Sequence, residues 1–354
     1  GNGSTNAAYQ KLTQTVEEGT VVTFAKVPAR TGYVNQGWSS KKNSEKATAK
    51  AKCTVNKNIT LYAVQKKAVQ LTFHRCDGST WQKTTLAKGS SYSLPGVRDA
   101  EGYTFMGWST KPMQSVSPQY EAEEKITVNG NVDLYAVVFN RTTETDLTED
   151  QLPQVDIYKY KQVIFVGDSR TEFMENVLTG MGESATKNVK FVCSAGKGLD
   201  WFTTTGWAQL YSIVQHDSNS ILSKKTAVIF NFGVNDLSKS ADYAEYYNWI
   251  APQLKSKGCE LYFMSVNPVN RLMLPNAGRA DRSEAAVRSF NQYMKANLSS
   301  AYTYIDMYSY LKSTGYSFAS DHYGTGTVDD GLHYTTRTYK RIFAKCMDSL
   351  RVPA

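Results

Sequence analysis

The residue types able to do covalent chemistry gather in four short stretches. Gly167-Asp168-Ser169 follows the apolar run Gln162–Val166, and Gly196-Lys197-Gly198 follows Val189–Cys193. Gly233-Val234-Asn235-Asp236 follows Thr226–Phe232, and Asp330-Gly331-Leu332-His333 precedes the segment Thr336–Leu350. A serine hydroxyl is a poor nucleophile unless a base stands within hydrogen-bond reach. His333 can be that base. A carboxylate three residues earlier, Asp330, can orient the imidazole and stabilise its protonated form. The tetrahedral intermediate of acyl transfer needs donors aimed at its oxyanion. The N–H of Ser169, the N–H of Gly198 and the side-chain amide of Asn235 suit that task, with Gly196 as an alternative to Gly198. Gly, Asp and Ser are all common turn residues, so the first stretch alone says little. The weight lies in four stretches, each placed where a loop at one sheet edge would reach a shared crevice.

The remaining polar candidates read as structural. Asp168 and Asp236 are expected to brace their loops through backbone N–H groups. Arg170 is expected to fix a loop rather than meet an anionic substrate. Asp321 and Asp329 also lie near His333, but only Asp330 has the three-residue spacing. Of the other histidines, His322 follows Asp321 and reads as a loop residue or pocket wall, while His74 and His216 lie away from the four stretches. Trp201 could be a sugar-stacking wall or plain packing.

These residues need a scaffold. Apolar runs at Gln162–Val166, Val189–Cys193, Thr226–Phe232, Glu260–Val266 and Tyr302–Tyr308 read as strands buried on both faces. Helix-like segments at Ala241–Lys255, Asp281–Leu298 and Thr336–Leu350 alternate with them. That alternation predicts a parallel sheet covered on both sides, with ligands bound beyond the carboxyl ends of the strands. No G-x-S-x-G, H-E-x-x-H, Walker A loop or G-x-G-x-x-G occurs, which excludes several other catalytic classes.

The chain has 354 residues, 41% of them hydrophobic, enough for real cores and about two domains. The net charge of +8 is spread along the chain and suits anionic partners such as wall polymers only weakly. The lysine-rich stretch Lys41–Lys57 lacks interleaved aromatics, so no nucleic-acid partner is expected. Cys53, Cys76, Cys193, Cys259 and Cys346 lie far apart with no C-x-x-C pair, so neither a zinc ribbon nor a disulfide framework is expected. Cys193 and Cys259 read as buried small hydrophobes. No apolar run reaches the ~18 residues of a membrane helix. The first residues, Gly1-Asn2-Gly3-Ser4, lack the pattern of a signal peptide.

The N-terminal part repeats itself. Gly32-Tyr33-Val34-Asn35-Gln36-Gly37-Trp38-Ser39 recurs as Gly102-Tyr103-Thr104-Phe105-Met106-Gly107-Trp108-Ser109, and Leu61-Tyr62-Ala63-Val64 recurs as Leu134-Tyr135-Ala136-Val137. Such small units must build their cores on Trp and Tyr rings, so Trp38 and Trp108 are expected to be core residues. This pattern resembles the Listeria–Bacteroides repeat, also called the internalin B-repeat, a small β-grasp-like module. The resemblance implies a bacterial surface or secreted location, with the repeats as spacers or as modules that bind a wall polymer or host surface. The four C-terminal stretches resemble the blocks of the SGNH (GDSL-type) hydrolase family over about residues 160–350, matching in order as Ser169, Gly198, Asn235 and Asp330/His333. That resemblance implies a flavodoxin-like α/β/α sandwich, a Ser-His-Asp mechanism, ester hydrolysis and no metal or organic cofactor.

The expected organisation is a first repeat at 1–70, a second at 71–140, a polar linker at 141–158 and a hydrolase domain at 159–354. The expected function is a serine esterase acting on short acyl, above all O-acetyl, esters of a cell-wall or other extracellular glycan. Two alternatives are an O-acyltransferase and an adhesion or scaffold protein whose hydrolase-like domain is inactive.

Overall fold

The computed structural model of the chain describes residues 12–216, 224–323 and 326–350. Its contacts divide into two compact units, one of residues 1–93 and 125–135, the other of residues 94–124 and 136–354.

The first unit is β-rich. Strands β1 (Thr20–Thr23) and β3 (Lys52–Val55) form one antiparallel pair. Strand β2 (Tyr33–Ser39) pairs antiparallel with β4 (Tyr62–His74), which also carries β5 (Thr80–Ala87). Strands β6 (Ser90–Ser93) and β8 (Lys125–Val128) form a second small pair. The start of β9 (Val132–Asn140) runs parallel to the end of β4. Val, Thr and Tyr at alternate positions favour such half-buried strands. His74 is absorbed locally: Nε2 lies 2.9 Å from Asp133 Oδ1, and its ring stacks on Tyr135.

The two repeat copies keep the same local device. Trp38 donates its indole N–H to Ala25 O, and Trp108 donates to Pro95 O, in each case thirteen residues back. Each tryptophan carbonyl then accepts two successive N–H groups, from Thr48 and Ala49 in one copy and from Gln119 and Tyr120 in the other. Trp108, on β7 (Tyr103–Ser109), is fully buried, while Trp38 is half-buried. Gly107 has φ +142, and a Cβ there would collide with Tyr120 O, so only glycine fits this copy's bend.

The second unit is a three-layer α/β/α sandwich. Strands β10 (Tyr160–Gly167), β11 (Val189–Cys193), β12 (Lys225–Asn231), β13 (Cys259–Met264) and β14 (Tyr302–Ile305) are all parallel, in the order β11-β10-β12-β13-β14. Successive side chains point to opposite faces of a strand. Ile164, Val166, Val228, Phe230, Leu261 and Phe263 therefore face one core, and Val163, Phe165, Ala227, Ile229, Tyr262 and Met264 face the other. Helices α2 (Trp207–His216), α3 (Ser240–Lys255) and α4 (Glu284–Asn297) cover the first face with Leu210, Val214, Tyr247, Leu254, Phe290 and Met294. Helices α1 (Ser169–Met181), α5 (Met307–Thr314) and α6 (Thr336–Ser349) cover the second with Met174, Leu178, Leu311, Phe343 and Met347. Full burial of each such side chain contributes ~1.5–3 kcal/mol.

Three differences from the sequence reading have physical causes. The run Tyr302–Tyr308 stops as a strand at Ile305, because Asp306 accepts the N–H of Ser309 and caps α5. Residues 141–158, read from their polarity as a linker, are folded into the second unit. Leu152 and Val155 are buried in its core, and Glu144 binds Arg341 and Ser317 beneath the surface. Cys193 is only half-buried, and its thiol donates to Glu175 Oε2. None of the five cysteines is in a disulfide.

One buried charge cluster holds segment 94–124 within this unit. Lys312 Nζ lies 2.8 Å from Glu121 Oε2, 3.1 Å from Glu284 Oε1 and 2.8 Å from Met106 O. Burial alone would lower the lysine pKa, but the two carboxylates and Tyr308 raise it, so the ammonium stays charged. Removing one member of a buried pair leaves an uncompensated charge. Lys312→Met is therefore expected to cost about 3–5 kcal/mol, measurable by urea unfolding.

Candidate active site

The strand order reverses between β10 and β12, the place where open α/β sheets bind ligands beyond their strand ends. All four sequence stretches issue from this edge or return to it. Gly167 ends β10 in a space with no room for a side chain, since a Cβ there would collide with Thr171 Oγ1 and Asn231 O. Asp168 then caps α1, accepting the N–H of Arg170 at 3.0 Å. Ser169 is thus the first residue of a thirteen-residue helix, at the positive end of its dipole. Burial pushes the Asp168 carboxyl up to about 6, against the pull of Arg170 and Arg282 and with the push of Asp236.

Ser169, His333 and Asp330 meet across 164 residues of sequence. His333 Nε2 lies 2.9 Å from Ser169 Oγ, and His333 Nδ1 lies 2.5 Å from Asp330 Oδ2. Asp330 Oδ1 accepts the N–H groups of Leu332 and His333, each at 2.7 Å. All three side chains are buried. Burial favours the neutral carboxylic acid of Asp330, but the hydrogen bond and charge of His333 and the two N–H donors outweigh it and hold the carboxyl below its ordinary value. The arrangement can pass a proton from the serine hydroxyl to an imidazole whose other nitrogen is anchored.

The glycine and asparagine loops are stitched to each other. Asn235 Nδ2 donates to Lys197 O at 2.8 Å, and Asp236 Oδ2 accepts the N–H of Leu199 at 2.9 Å. Asp236 also takes the hydroxyl of Tyr243. A Cβ on Gly198 would collide with the Asp236 carboxylate, whereas one on Gly196 would meet open space. Gly198, not Gly196, is thus the glycine pressed against the asparagine loop. Asp236 braces that loop, as expected. Asp329 does not approach His333 in place of Asp330; its carboxylate pairs with Arg141 at 2.7 Å. The side chains of His216, Asp321 and His322 lie outside the described residues. Trp201 is half-buried against Phe232, and its ring leaves no room for a side chain at Gly206, so packing accounts for it.

Arg170 is buried and donates to the carbonyls of Leu332, Asn267 and Pro268, tying the serine helix to the histidine segment. Two neighbours escape sequence reading. Arg282 Nη2 donates to Asn235 Oδ1 at 2.8 Å and its Nε to Val234 O, fixing which way the amide points. No motif surrounds it. Phe173 stacks on His333 with ring centroids 4.4 Å apart, and 40% of its surface is exposed. It sits four residues after Ser169 on one helix, so the i, i+4 rule would have placed it on the serine face.

Comparison with known proteins agrees with this architecture. Residues 163–346 match the family model described as GDSL-like lipase/acylhydrolase, and residues 1–64 and 70–137 match the Listeria–Bacteroides repeat domain. The chain belongs to the GDSL-like lipase/acylhydrolase family, and its C-terminal domain is an SGNH-type ester hydrolase preceded by Listeria–Bacteroides repeats. Similar solved structures include a Bacteroides fragilis protein assigned as an acylhydrolase (16% identity, TM-score 0.35, covering 57% of this chain and 92% of that one). Others are an acetyl xylan esterase (11%, 0.36, covering 53% and 99%) and the C-terminal catalytic domain of a Streptococcus pneumoniae peptidoglycan O-acetyltransferase (15%, 0.32, covering 55% and 94%). No curated protein matches the chain. Among the described residues, no helix is long and apolar enough to cross a membrane.

Proposed function

We propose that the protein is a serine esterase that removes short acyl groups, above all O-acetyl, from an extracellular or cell-wall glycan. The observation that carries this reading is the unbroken line from Ser169 Oγ through His333 to Asp330 at 2.9 and 2.5 Å. In the first half-reaction Ser169 Oγ attacks the ester carbonyl as His333 Nε2 takes its proton. Asp330 steadies the imidazolium at Nδ1. The negative charge on the carbonyl oxygen falls among the Ser169 N–H at the helix start, the Gly198 N–H and the Asn235 amide. The intermediate collapses, His333 gives its proton to the departing sugar oxygen so that it leaves as the free hydroxyl, and the acyl group stays on Ser169. Water then repeats the sequence, with His333 as base, and releases the carboxylic acid.

The substrate class draws support from two features. The repeats belong to a family of bacterial surface-type modules, which fits a location outside the cell. The net charge of +8 favours approach to anionic wall polymers. The test is release of acetate from O-acetylated polysaccharides, run beside p-nitrophenyl esters of increasing chain length. Faster turnover of acetyl than octanoyl esters, with free acetate from a polysaccharide, is expected. Preference for long acyl chains would overturn the substrate class, and movement of acetate onto an added sugar without release would make the enzyme a transferase.

A further inference from the structure

The stretch that carries Asp330 and His333 is poorly held by its own strand pairing. Strands β15 (Phe318–Tyr323) and β16 (Gly326–Tyr334) form an antiparallel hairpin. Their pairing jumps from Ser320–Asp329 to Phe318–Tyr334, so one residue of β15 faces the four residues 330–333. Those four bulge off the ladder, and Gly331 at their centre has φ +68. Arg170 holds the Leu332 carbonyl, and a second set of contacts grips the residues on either side of Asp330.

That second set converges on one carboxylate outside every catalytic motif. The Asp99 side chain is fully buried. Its Oδ1 accepts the N–H of Phe105 at 2.9 Å and Asn270 Nδ2 at 2.8 Å, and its Oδ2 pairs with Arg141 Nη2 at 2.8 Å. Two arms run from it to the bulge. Arg141 Nη2 also binds Asp329 Oδ2 at 2.7 Å, and Arg141 Nε donates to Thr104. The backbone N–H of Asn270 donates to Gly331 O at 2.9 Å. Asp329 and Gly331 are the two neighbours of Asp330. The clamp thus grips the chain immediately before and after the carboxylate that receives His333.

Asp99 lies within the second repeat match and Arg141 just beyond it, yet both belong to the same compact unit as the hydrolase sheet. We propose that Asp99 and Arg141 are positioning residues for the Asp330–His333 pair, so that a segment of the second repeat is part of the catalytic apparatus rather than a spacer. This rests on the reading of Asp330 as the partner that orients His333.

The experiment uses the full chain with p-nitrophenyl acetate and, independently of turnover, the downfield Nδ1 proton of His333 in proton NMR. Displacing a catalytic group by a fraction of an ångström is costly, so Asp99→Ala is expected to lower kcat about 10- to 100-fold with KM little changed. In an Asp330→Asn background the same change is expected to cost less than about twofold, because residues acting through one another are non-additive. The histidine proton is expected to broaden or shift in Asp99→Ala and to be lost in Asp330→Asn. Arg141→Lys, which keeps the charge but loses the Nε bond to Thr104 that holds Nη2 between the two carboxylates, serves if Asp99→Ala does not fold; it is expected to show the same pattern more weakly. Wild-type kcat and an unmoved histidine proton in the folded variants would overturn the proposal, as would an equal fold-loss in both backgrounds. An inactive wild type, or a Ser169→Ala variant as fast as wild type, would instead sink the esterase reading, and the NMR comparison would still decide the positioning.

Discussion

Ser169→Ala is expected to lower kcat for p-nitrophenyl acetate by ~10⁴–10⁶-fold, while the protein melts within about 1 °C of wild type. The two halves of this expectation have separate grounds. The hydroxyl lies 2.9 Å from His333 Nε2, so its loss is expected to remove the covalent route. The helix that presents it does not depend on that hydroxyl. Its cap is Asp168, and its grip on the core comes from Met174 and Leu178. Alanine is also a better helix former than serine. Residual turnover is expected from the proposed oxyanion donors, the backbone N–H groups and Asn235, acting on an ester attacked by water. A fall of less than about tenfold would mean that another nucleophile does the chemistry.

Asp330→Asn carries the second largest effect, ~10⁴-fold in kcat at neutral pH. The amide is nearly the same size as the carboxylate and keeps an oxygen for the Leu332 and His333 N–H groups. What it loses is the charge opposite the imidazolium and the acceptor that fixes Nδ1 as the protonated nitrogen. With the wrong tautomer, Nε2 carries the proton and cannot accept one from Ser169. The same substitution has a stability signature. The Asp330 carboxyl has a folded pKa below its ordinary 3.8, so its stabilisation is present above that value and is lost as pH falls through the lower folded value. The melting difference between wild type and Asp330→Asn should therefore be steady above about pH 5 and shrink below about pH 4. A difference that grew on acidification would contradict the charged state assigned to Asp330.

How much of this was legible in the sequence depended on the kind of signal. The five parallel strands were readable because strands buried on both faces leave continuous apolar runs, such as Gln162–Val166. Strand ends were less so: whether a run ends at Ile305 or Tyr308 turns on one aspartate choosing to cap a helix. The β15–β16 hairpin left no such run. Its residues include three Asp and two Gly, and a strand that bulges at Asp330–His333 has no need of strict alternation. The four candidate stretches were visible because each sets residue types able to do chemistry at a fixed local spacing. Arg282 and Asn270 were invisible because their work is defined only by what the fold brings to them, an amide oxygen in one case and a carbonyl of the catalytic bulge in the other. The stretch 141–158 misled for a related reason. Its composition is that of a linker, but Glu144 has a buried arginine to meet, and Leu152 and Val155 find a core assembled from elsewhere.

Ser169 is expected to be the hydroxyl activated for acyl transfer. The most direct measurement is covalent trapping with a sulfonyl fluoride, followed by peptide mass spectrometry of the intact chain and of the Ser169→Ala variant. One adduct per molecule is expected, on the peptide carrying Ser169, formed in step with loss of esterase activity and absent from the variant. An adduct on a different serine, or full loss of activity with Ser169 unmodified, would contradict it.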